Sequence, residues 1–309
     1  MSDIASVSLA RPLSEIADEL GRSFETYGFG VVRDHGIPQN LIERAEAKSK
    51  EFFALPEEVK RRYAVAGGGG ARGYTPFGTE KAKDAQVHDL KEFWHVGRDL
   101  PADHSLSQFM APNVWPTEVE WFRETFEELY AAFDAAGGRV LEAIALHLDL
   151  PQDFFADTVR DGNSVMRLLR YPPLEGAEAE GAIRAAAHGD INTITLLLGA
   201  EEAGLELLTA DGDWLAVAPS KGALVINIGD MLDRLTNGKL VSTKHRVVNP
   251  QGEAAYRARY SMPFFLHFRP DYLIETLPSC IDPDAPDDHP APISAHDFLM
   301  QRLREIGLA

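Results

Sequence analysis

After Pro151 the sequence breaks into short apolar or alternating runs, "SVMRLLRYPP", "TITLLLG", "LELLTADGDWLAVAP", "GALVINIGD", "STKHRVVNP" and "RARYSMPFFLHF", each bounded by Gly, Pro, Asp or Asn. This punctuation constrains the fold more than any other feature. Such runs are too short for core helices and too apolar for surface loops. Their close succession is that of an all-β sandwich or barrel, without the strand–helix alternation of a nucleotide-binding fold. "TADGDW" sets Asp211-Gly212 between two strand-like runs, the dipeptide of a hairpin turn.

Upstream the period changes. Between Leu13 and Tyr27, Ile16, Leu20 and Phe24 recur every four residues, one apolar face of a helix, and "YGFGVVRDHGIP" then reads as a short strand closed by a Gly-Pro turn. A second amphipathic helix runs from about Asn40 with Leu41, Ala45, Phe52 and Phe53 inward until Pro56, and "PEEVKRRY" starts another helical turn. The placing of Val119, Phe122, Phe126, Leu129, Phe133, Val140, Ile144 and Leu148 predicts a long helix, or a pair broken near Gly137-Gly138. At the C-terminal end Ser294 and Asp297 form a capping pattern ahead of Phe298, Leu303 and Ile306. The expected architecture is therefore α+β with a mainly β core. A helical region over 1–115 is followed by a long helix and the strand-rich region over 116–309, packed as one compact unit. "AVAGGGGARGYTPFG" reads as a surface loop, or as one that closes over a ligand.

Composition narrows the chemistry. The single cysteine, Cys280, excludes an internal disulfide and a thiolate metal cluster, which leaves His, carboxylates, hydroxyls and Arg. The formal net charge of −18 repels phosphate backbones and anionic lipid, so neither nucleic acid nor a membrane is an expected partner. A small anionic substrate would need a basic group inside a pocket. No run of apolar residues is long enough to span a bilayer, and "MSDIASVSLARPL" lacks the basic start and apolar segment of a signal peptide; the expectation is a cytoplasmic protein.

Within "RAAAHGDINTITLLLGA" one polar triplet, His188-Gly189-Asp190, stands at the mouth of an apolar strand. On an extended strand residues i and i+2 share a face, so this imidazole and carboxylate lie side by side. Alone the triplet is weak, because a solvated turn is its commoner use. In "STKHRVVNP", however, His245 alternates inward with Val247 while Lys244 and Arg246 point outward, and a buried histidine needs a hydrogen bond or a metal. Two neutral imidazoles and one carboxylate are the facial ligand set of non-haem Fe(II) oxygenases, whereas a structural zinc site would close its coordination with a fourth ligand. Arg259 and Ser261 share one face of "RARYSMPFF" with Tyr260 opposite, and a guanidinium fork beside a hydroxyl suits a small carboxylate; Arg257, on the same face, competes for that role.

His188-X-Asp190, His245 and Arg259-X-Ser261 together resemble the isopenicillin N synthase-like branch of the 2-oxoglutarate/Fe(II)-dependent dioxygenases. The resemblance extends through "YGFGVVRDHGIPQNLIERAEAKSKEFFALPEEVKRRY", "LLRYPP", "HGDINTITLLLG" and "NIGDMLDRLTNGKLVSTKHRV", nearly the whole chain. It implies a double-stranded β-helix (jelly roll) with flanking helices, and Fe(II) held by His188, Asp190 and His245. It also implies that the distal carboxylate of 2-oxoglutarate is bound by Arg259 and Ser261, with Tyr171 as a further contact. Where the family often has an asparagine, two residues before that tyrosine, this chain has Leu169. The implied reaction consumes O2 and a small organic substrate, hydroxylating, desaturating or cyclising it with release of succinate and CO2. Some relatives draw electrons from ascorbate or from the substrate itself, and one fragments 2-oxoglutarate to ethylene. For the substrate wall the candidate is "GGGGARGYTPFGTEKAKDAQVHDLKEFWHV", with Arg72, Tyr74 and Lys91 as polar contacts. Two readings from other classes remain: a hydrolase, for which no Gly-X-Ser-X-Gly elbow is present, and a non-catalytic jelly-roll binding protein. His35, His88, His95, His147 and His267 have no spaced carboxylate and read as structural.

Overall fold

The computed structural model describes residues 4–65, 71–79, 88–174, 183–199, 204–281, 287–289 and 291–305. The first half contains β1 (Ser6–Ser8), α1 (Leu13–Tyr27), β2 (Phe29–Arg33), α2 (Gln39–Phe53), α3 (Glu57–Lys60), β3 (Gly73–Thr75), β4 (Glu92–Gly97), α4 (Phe122–His147) and α5 (Ala156–Val159). There follow β5 (Val165–Tyr171), β6 (Ala185–His188), β7 (Ile194–Leu198), β8 (Leu205–Leu208), β9 (Trp214–Ala216), β10 (Leu224–Ile228) and α6 (Asp230–Leu235). The chain ends in β11 (His245–Val247), β12 (Arg259–Leu266), β13 (Leu273–Ile274), β14 (Ile293–Ser294) and α7 (Ala295–Glu305).

Two sheets carry the architecture. The larger has the order β1-β2-β10-β7-β12-β5-β4-β3, antiparallel except for β1 beside β2, and the smaller has the order β6-β11-β8-β9. Alternation along the strands gives each sheet an inner row, and the inner rows of both line one cavity that includes Thr195, Leu197 and Arg259 from the larger sheet and His188, Leu205 and His245 from the smaller. This is the double-stranded β-helix, with helices on the outer face of the large sheet. The hairpin at "TADGDW" joins β8 to β9, with Gly212 at a φ of 89°.

Helix α1 occupies the residues that the apolar spacing indicates, with Ile16, Leu20 and Phe24 fully buried, and Gly28 ends it in the left-handed region at a φ of 66°. Helix α4 is one unbroken element through Gly137-Gly138. A Cβ on Gly137 would stand 2.4 Å from Leu266 Cδ1, so the glycine lets α4 lie close on β12, where Phe133 stacks on Phe264. Ser294 caps α7: its Oγ accepts the Asp297 N–H at 3.0 Å and donates to the Asp297 carboxylate at 2.7 Å.

The N-terminal half carries more sheet than its helical texture suggests. It supplies both edges of the large sheet, β1-β2 at one side and β4-β3 at the other. β4 is buried at every residue, so it has no alternation to read, and β1 and β3 are three residues each. The four-glycine run and Ile306 lie outside the described residues. Among the described residues no helix is long and apolar enough to cross a membrane.

Candidate metal centre and active-site cavity

His188 ends β6 and pairs in register with His245, which begins β11, so two residues far apart in sequence are set side by side on neighbouring strands, their ring centroids 4.5 Å apart. Asp190 is not on a strand. It lies in the connection by which the chain leaves the small sheet and enters the large one at β7, a correction to the picture of both ligands on one extended strand. The start of α6 holds this connection: Asp230 N–H donates to Asp190 O at 2.8 Å, and Gly229 packs so closely that a Cβ there would be 2.1 Å from Asn192 O.

Nε2 of His188 is 3.9 Å from Asp190 Oδ1, Nε2 of His245 is 3.9 Å from Asp190 Oδ2, and the three candidate ligand atoms lie within 4.8 Å of one another. In each imidazole the other nitrogen faces a backbone carbonyl: His188 Nδ1–H donates to Ala186 O at 2.7 Å and His245 Nδ1–H to Thr243 O at 3.2 Å. That assigns both tautomers and leaves each Nε2 lone pair for a metal. Oδ2 of Asp190 accepts Thr195 Oγ1–H at 2.5 Å and Asn227 Nδ2–H at 2.8 Å, which leaves Oδ1 as the freer oxygen. Burial would push the Asp190 carboxyl up, but the two imidazoles and the Thr195 and Asn227 hydrogen bonds outweigh it and hold the group below the ordinary carboxylate range. Burial, reinforced by His245, lowers His188 to about 4 against the pull of Asp190. Two imidazole nitrogens and a carboxylate on one side of a cavity, open on the other, fit a divalent metal with positions to spare.

The second cluster lies on β12 and β5. Arg259 pairs with Tyr171 and Ser261 with Leu169, and all four face the cavity. The Arg259 guanidinium sits 5.2 Å from the Tyr171 ring centroid in a residue that is 1% exposed, and among the described residues its polar contacts are long, 3.4 Å to Ser261 Oγ and 3.5 Å to Gly199 O, with no partner for its Nε. Among the described residues no carboxylate meets it. A buried cation in that condition implies an anion that binds there. Arg257, by contrast, is outside the strand and exposed beside Glu253, so it does not compete for the cavity.

Residues 2–118 match the family described as the N-terminal region of the non-haem dioxygenase in morphine synthesis, and residues 162–268 match the 2OG-Fe(II) oxygenase superfamily. The 2-oxoglutarate-Fe(II) type oxidoreductase hxnY of Emericella nidulans is 35% identical over 295 residues, 93% of this chain and 83% of that protein. The chain belongs to the 2-oxoglutarate/Fe(II) oxygenase superfamily. A 2OG-Fe(II) oxygenase family protein from Caulobacter crescentus has 55% identity and a TM-score of 0.92, covering 99% of this chain and 100% of that one. A Neurospora crassa protein solved in complex with alpha-KG and thymine has 27% identity and a TM-score of 0.86, covering 97% and 96%. The chain is thus an oxidoreductase of the oxygenase class, with iron(II) and 2-oxoglutarate as its cofactors.

The sequence-derived candidates converge on the cavity, apart from two of the wall residues. Arg72 is buried elsewhere, donating to Ala111 O and Ala71 O, and the Tyr74 hydroxyl donates to Glu92 with Glu57 Oε2 also 3.1 Å away. Neither lines the oxygenase cavity; Lys91 does. Of the remaining histidines, His35 and His147 make tertiary contacts, to Gly222 O and Glu25 respectively, His88 is exposed, and His95 and His267 are buried. Sequence reasoning missed Thr195 and Asn227. Their signal was a polar residue at an inward position of an otherwise apolar strand, β7 and β10 respectively.

Proposed function

We propose that His188, Asp190 and His245 hold the iron(II) and that Arg259, Ser261 and Tyr171 seat the distal carboxylate of 2-oxoglutarate. The protein then oxidises a small organic molecule by hydroxylation, desaturation or ring closure. The observation that carries this reading is the buried Arg259 guanidinium, without a carboxylate among the described residues, in the same cavity as the three candidate ligands. Iron and 2-oxoglutarate, when bound, supply activated dioxygen: the keto acid provides two electrons and becomes succinate and CO2, and in hydroxylation one oxygen atom enters succinate and the other the substrate.

The residues supply position and charge. Asp190 contributes one negative charge against the cation in a site shielded from bulk water, and Thr195 and Asn227 fix which of its oxygens turns inward. Arg259 and Ser261 give the dicarboxylate a fixed far end, so its keto acid end is directed toward the metal ligands. Leu169 offers no polar contact there, so a bound metal would have to hold that end. Phe29, Leu197, Leu205 and Val247 wall the cavity and exclude water.

The substrate is taken as a small molecule rather than nucleic acid, since a chain of net charge −18 repels a phosphate backbone. The cytoplasm is the proposed compartment. Regions 1–115 and 116–309 are proposed to act as one unit, an assignment supported by their strands sharing one sheet. Mixed anaerobically with Fe(II) and 2-oxoglutarate, the protein is expected to develop a visible charge-transfer band and, with oxygen, to form succinate. His188→Ala or His245→Ala is expected to abolish the band with the fold retained. A wild-type protein with neither band nor succinate refutes the reading.

A further inference from the structure

The stretch "NIGDMLDRLTNGKLVSTKHRV" places two carboxylates, Asp230 and Asp233, on one turn of α6, and a serine that both of them hold, Ser242, three residues ahead of His245. Ser242 Oγ–H donates to Asp230 Oδ1 at 2.7 Å and Ser242 N–H to Asp233 Oδ2 at 2.6 Å, so the segment leading to His245 is pinned to α6 by main chain and side chain. The next residue, Thr243, supplies the carbonyl that orients the His245 ring. Asp230 also donates its own N–H to Asp190 O at 2.8 Å. One residue thus touches the supports of two metal ligands. The Asp230–Ser242 pair lies directly behind the turn between His188 and Asp190 as well: a Cβ on Gly189 would stand 3.5 Å from Ser242 Oγ and 3.6 Å from Asp230 Oδ1, ordinary contact distances.

The other oxygen of Asp230 faces the C-terminal helix. Arg302 Nη2, in the last turn of α7, is 2.9 Å from Asp230 Oδ2, with both side chains partly buried, and among the described residues it is the only cation paired with that carboxylate. The contact lies off the hydrogen-bond direction, so attraction between charges rather than a directed bond holds it. The first turn of α7 is fixed independently: Ala295 N–H donates to Tyr272 O at 2.8 Å, His296 N–H donates to Pro270 O at 3.0 Å, and Phe298 is buried. Arg302 therefore ties the far end of a helix that is already docked at its start.

We propose that Asp230 is a positioning residue for the metal centre and that Arg302 locks it, so that docking of the last turn of α7 and metal binding are coupled. The inference rests on the metal-ligand reading above. Without Arg302 the Asp230 carboxylate loses its counter-charge and is free to turn toward water, which releases Ser242 and, through Thr243, the His245 ring. Coupling of this kind is reciprocal: whatever Arg302 adds to metal affinity, the metal adds to the docking of α7. The sign separates positioning from a simple field effect. Removing a cation near the site favours a metal ion electrostatically, whereas removing a lock weakens its binding.

The test is anaerobic calorimetric titration of Mn(II) into the full chain, together with amide hydrogen exchange over residues 299–305 with and without Mn(II). Arg302→Gln and Asp230→Asn are each expected to weaken Mn(II) binding about 3- to 10-fold, at the low end for a group behind a metal ligand because the pair is partly exposed. The double variant is expected to bind no more weakly than the weaker single, since either change opens the same lock. Arg304→Gln, at an exposed position of the same helix, is expected to match wild type. Mn(II) is expected to slow exchange over 299–305 in wild type and to do so less in Arg302→Gln. Arg302→Lys, which keeps the charge, is expected to recover part of the affinity and serves alone if the glutamine variant does not fold. Mn(II) binding in Arg302→Gln as tight as in wild type or tighter, full additivity of the two singles, an equal loss in Arg304→Gln, or exchange over 299–305 that ignores Mn(II) overturns the proposal. A wild-type protein that binds no Mn(II) removes the metal-ligand reading, and the lock with it.

Discussion

The two hydrogen bonds to Asp190 Oδ2 make a quantitative claim about how the protein prepares a metal ligand. Thr195→Val removes the 2.5 Å donor and keeps the volume of the side chain, and Asn227→Ala removes the 2.8 Å donor. A hydrogen bond to a charged group contributes about 1.5–3 kcal/mol, and both act on an oxygen that is 7% exposed at the residue level and so has little water to replace them. Thr195→Val leaves few other polar atoms stranded, because Asn192 Nδ2 keeps its 2.7 Å bond to Ile194 O. Each loss frees the carboxylate to rotate and weakens one of the factors that offset its burial, so the ligand is both less oriented and less acidic. The expected cost is about 10- to 100-fold in metal affinity for either variant. Because the donors share one oxygen, the double variant is expected to depart from the sum of the singles.

Anaerobic titration with Mn(II) or Fe(II), with thermal melting as a control for the fold, measures this directly. Dissociation constants within about threefold of wild type in both singles and in the double variant, roughly 0.6 kcal/mol, would refute the claim that these residues set the ligand.

Arg259→Ala is expected to raise the 2-oxoglutarate concentration needed for turnover while metal affinity holds, and Arg257→Ala, at an exposed position, is expected to change neither; succinate formation against 2-oxoglutarate concentration reads both. His267 is 8% exposed, and its burial lowers it to about 4 from an ordinary 6.5. The unfolded chain therefore takes up that proton first. The contribution of His267 is complete above about pH 6.5 and lost as the pH falls toward 4, a change of about 3 kcal/mol in unfolding free energy that His267→Gln should remove from a denaturant series across that range. In α4, Gly137→Ala meets Leu266 Cδ1 at 2.4 Å and is expected to lower stability by about 1 kcal/mol, whereas Gly138→Ala, with nothing within 4 Å, is expected to raise it by up to about 1 kcal/mol; paired thermal melts decide the sign of each.

The parts legible in the sequence are those whose cause is local. Helix α1 is set by a four-residue apolar period and a glycine stop, the β8–β9 hairpin by Asp211-Gly212, and the start of α7 by Ser294 and Asp297, and each lies where that chemistry puts it. β4 was not legible because burial on both faces erases alternation, and β1 and β3 because three residues carry no period. Arg72 and Tyr74 show the same limit for side chains: the stretch they belong to does border the cavity through Lys91, but which way a residue in or beside a three-residue strand turns depends on partners such as Ala111, Glu57 and Glu92 that spacing cannot name.

The His188-X-Asp190 pair shows how a local rule can point to a true site by an incomplete route. Alternation on one strand predicted that both side chains face one way. In the structure the strand ends at His188, and the two meet because the chain turns between sheets there, with the α6 start holding Asp190 by its backbone and Thr195 and Asn227 holding it by its carboxylate. His188 is placed by its register with His245, and Asp190 by partners on β7 and β10. The ligand set thus spans the gap between the two sheets, so any change that shifts one sheet against the other should alter metal affinity before it unfolds the protein. A substitution at Gly229, where a Cβ would press within 2.1 Å of Asn192 O at the seam, is the most direct way to produce that shift, and Gly229→Ala is expected to weaken metal binding under conditions where both sheets remain folded.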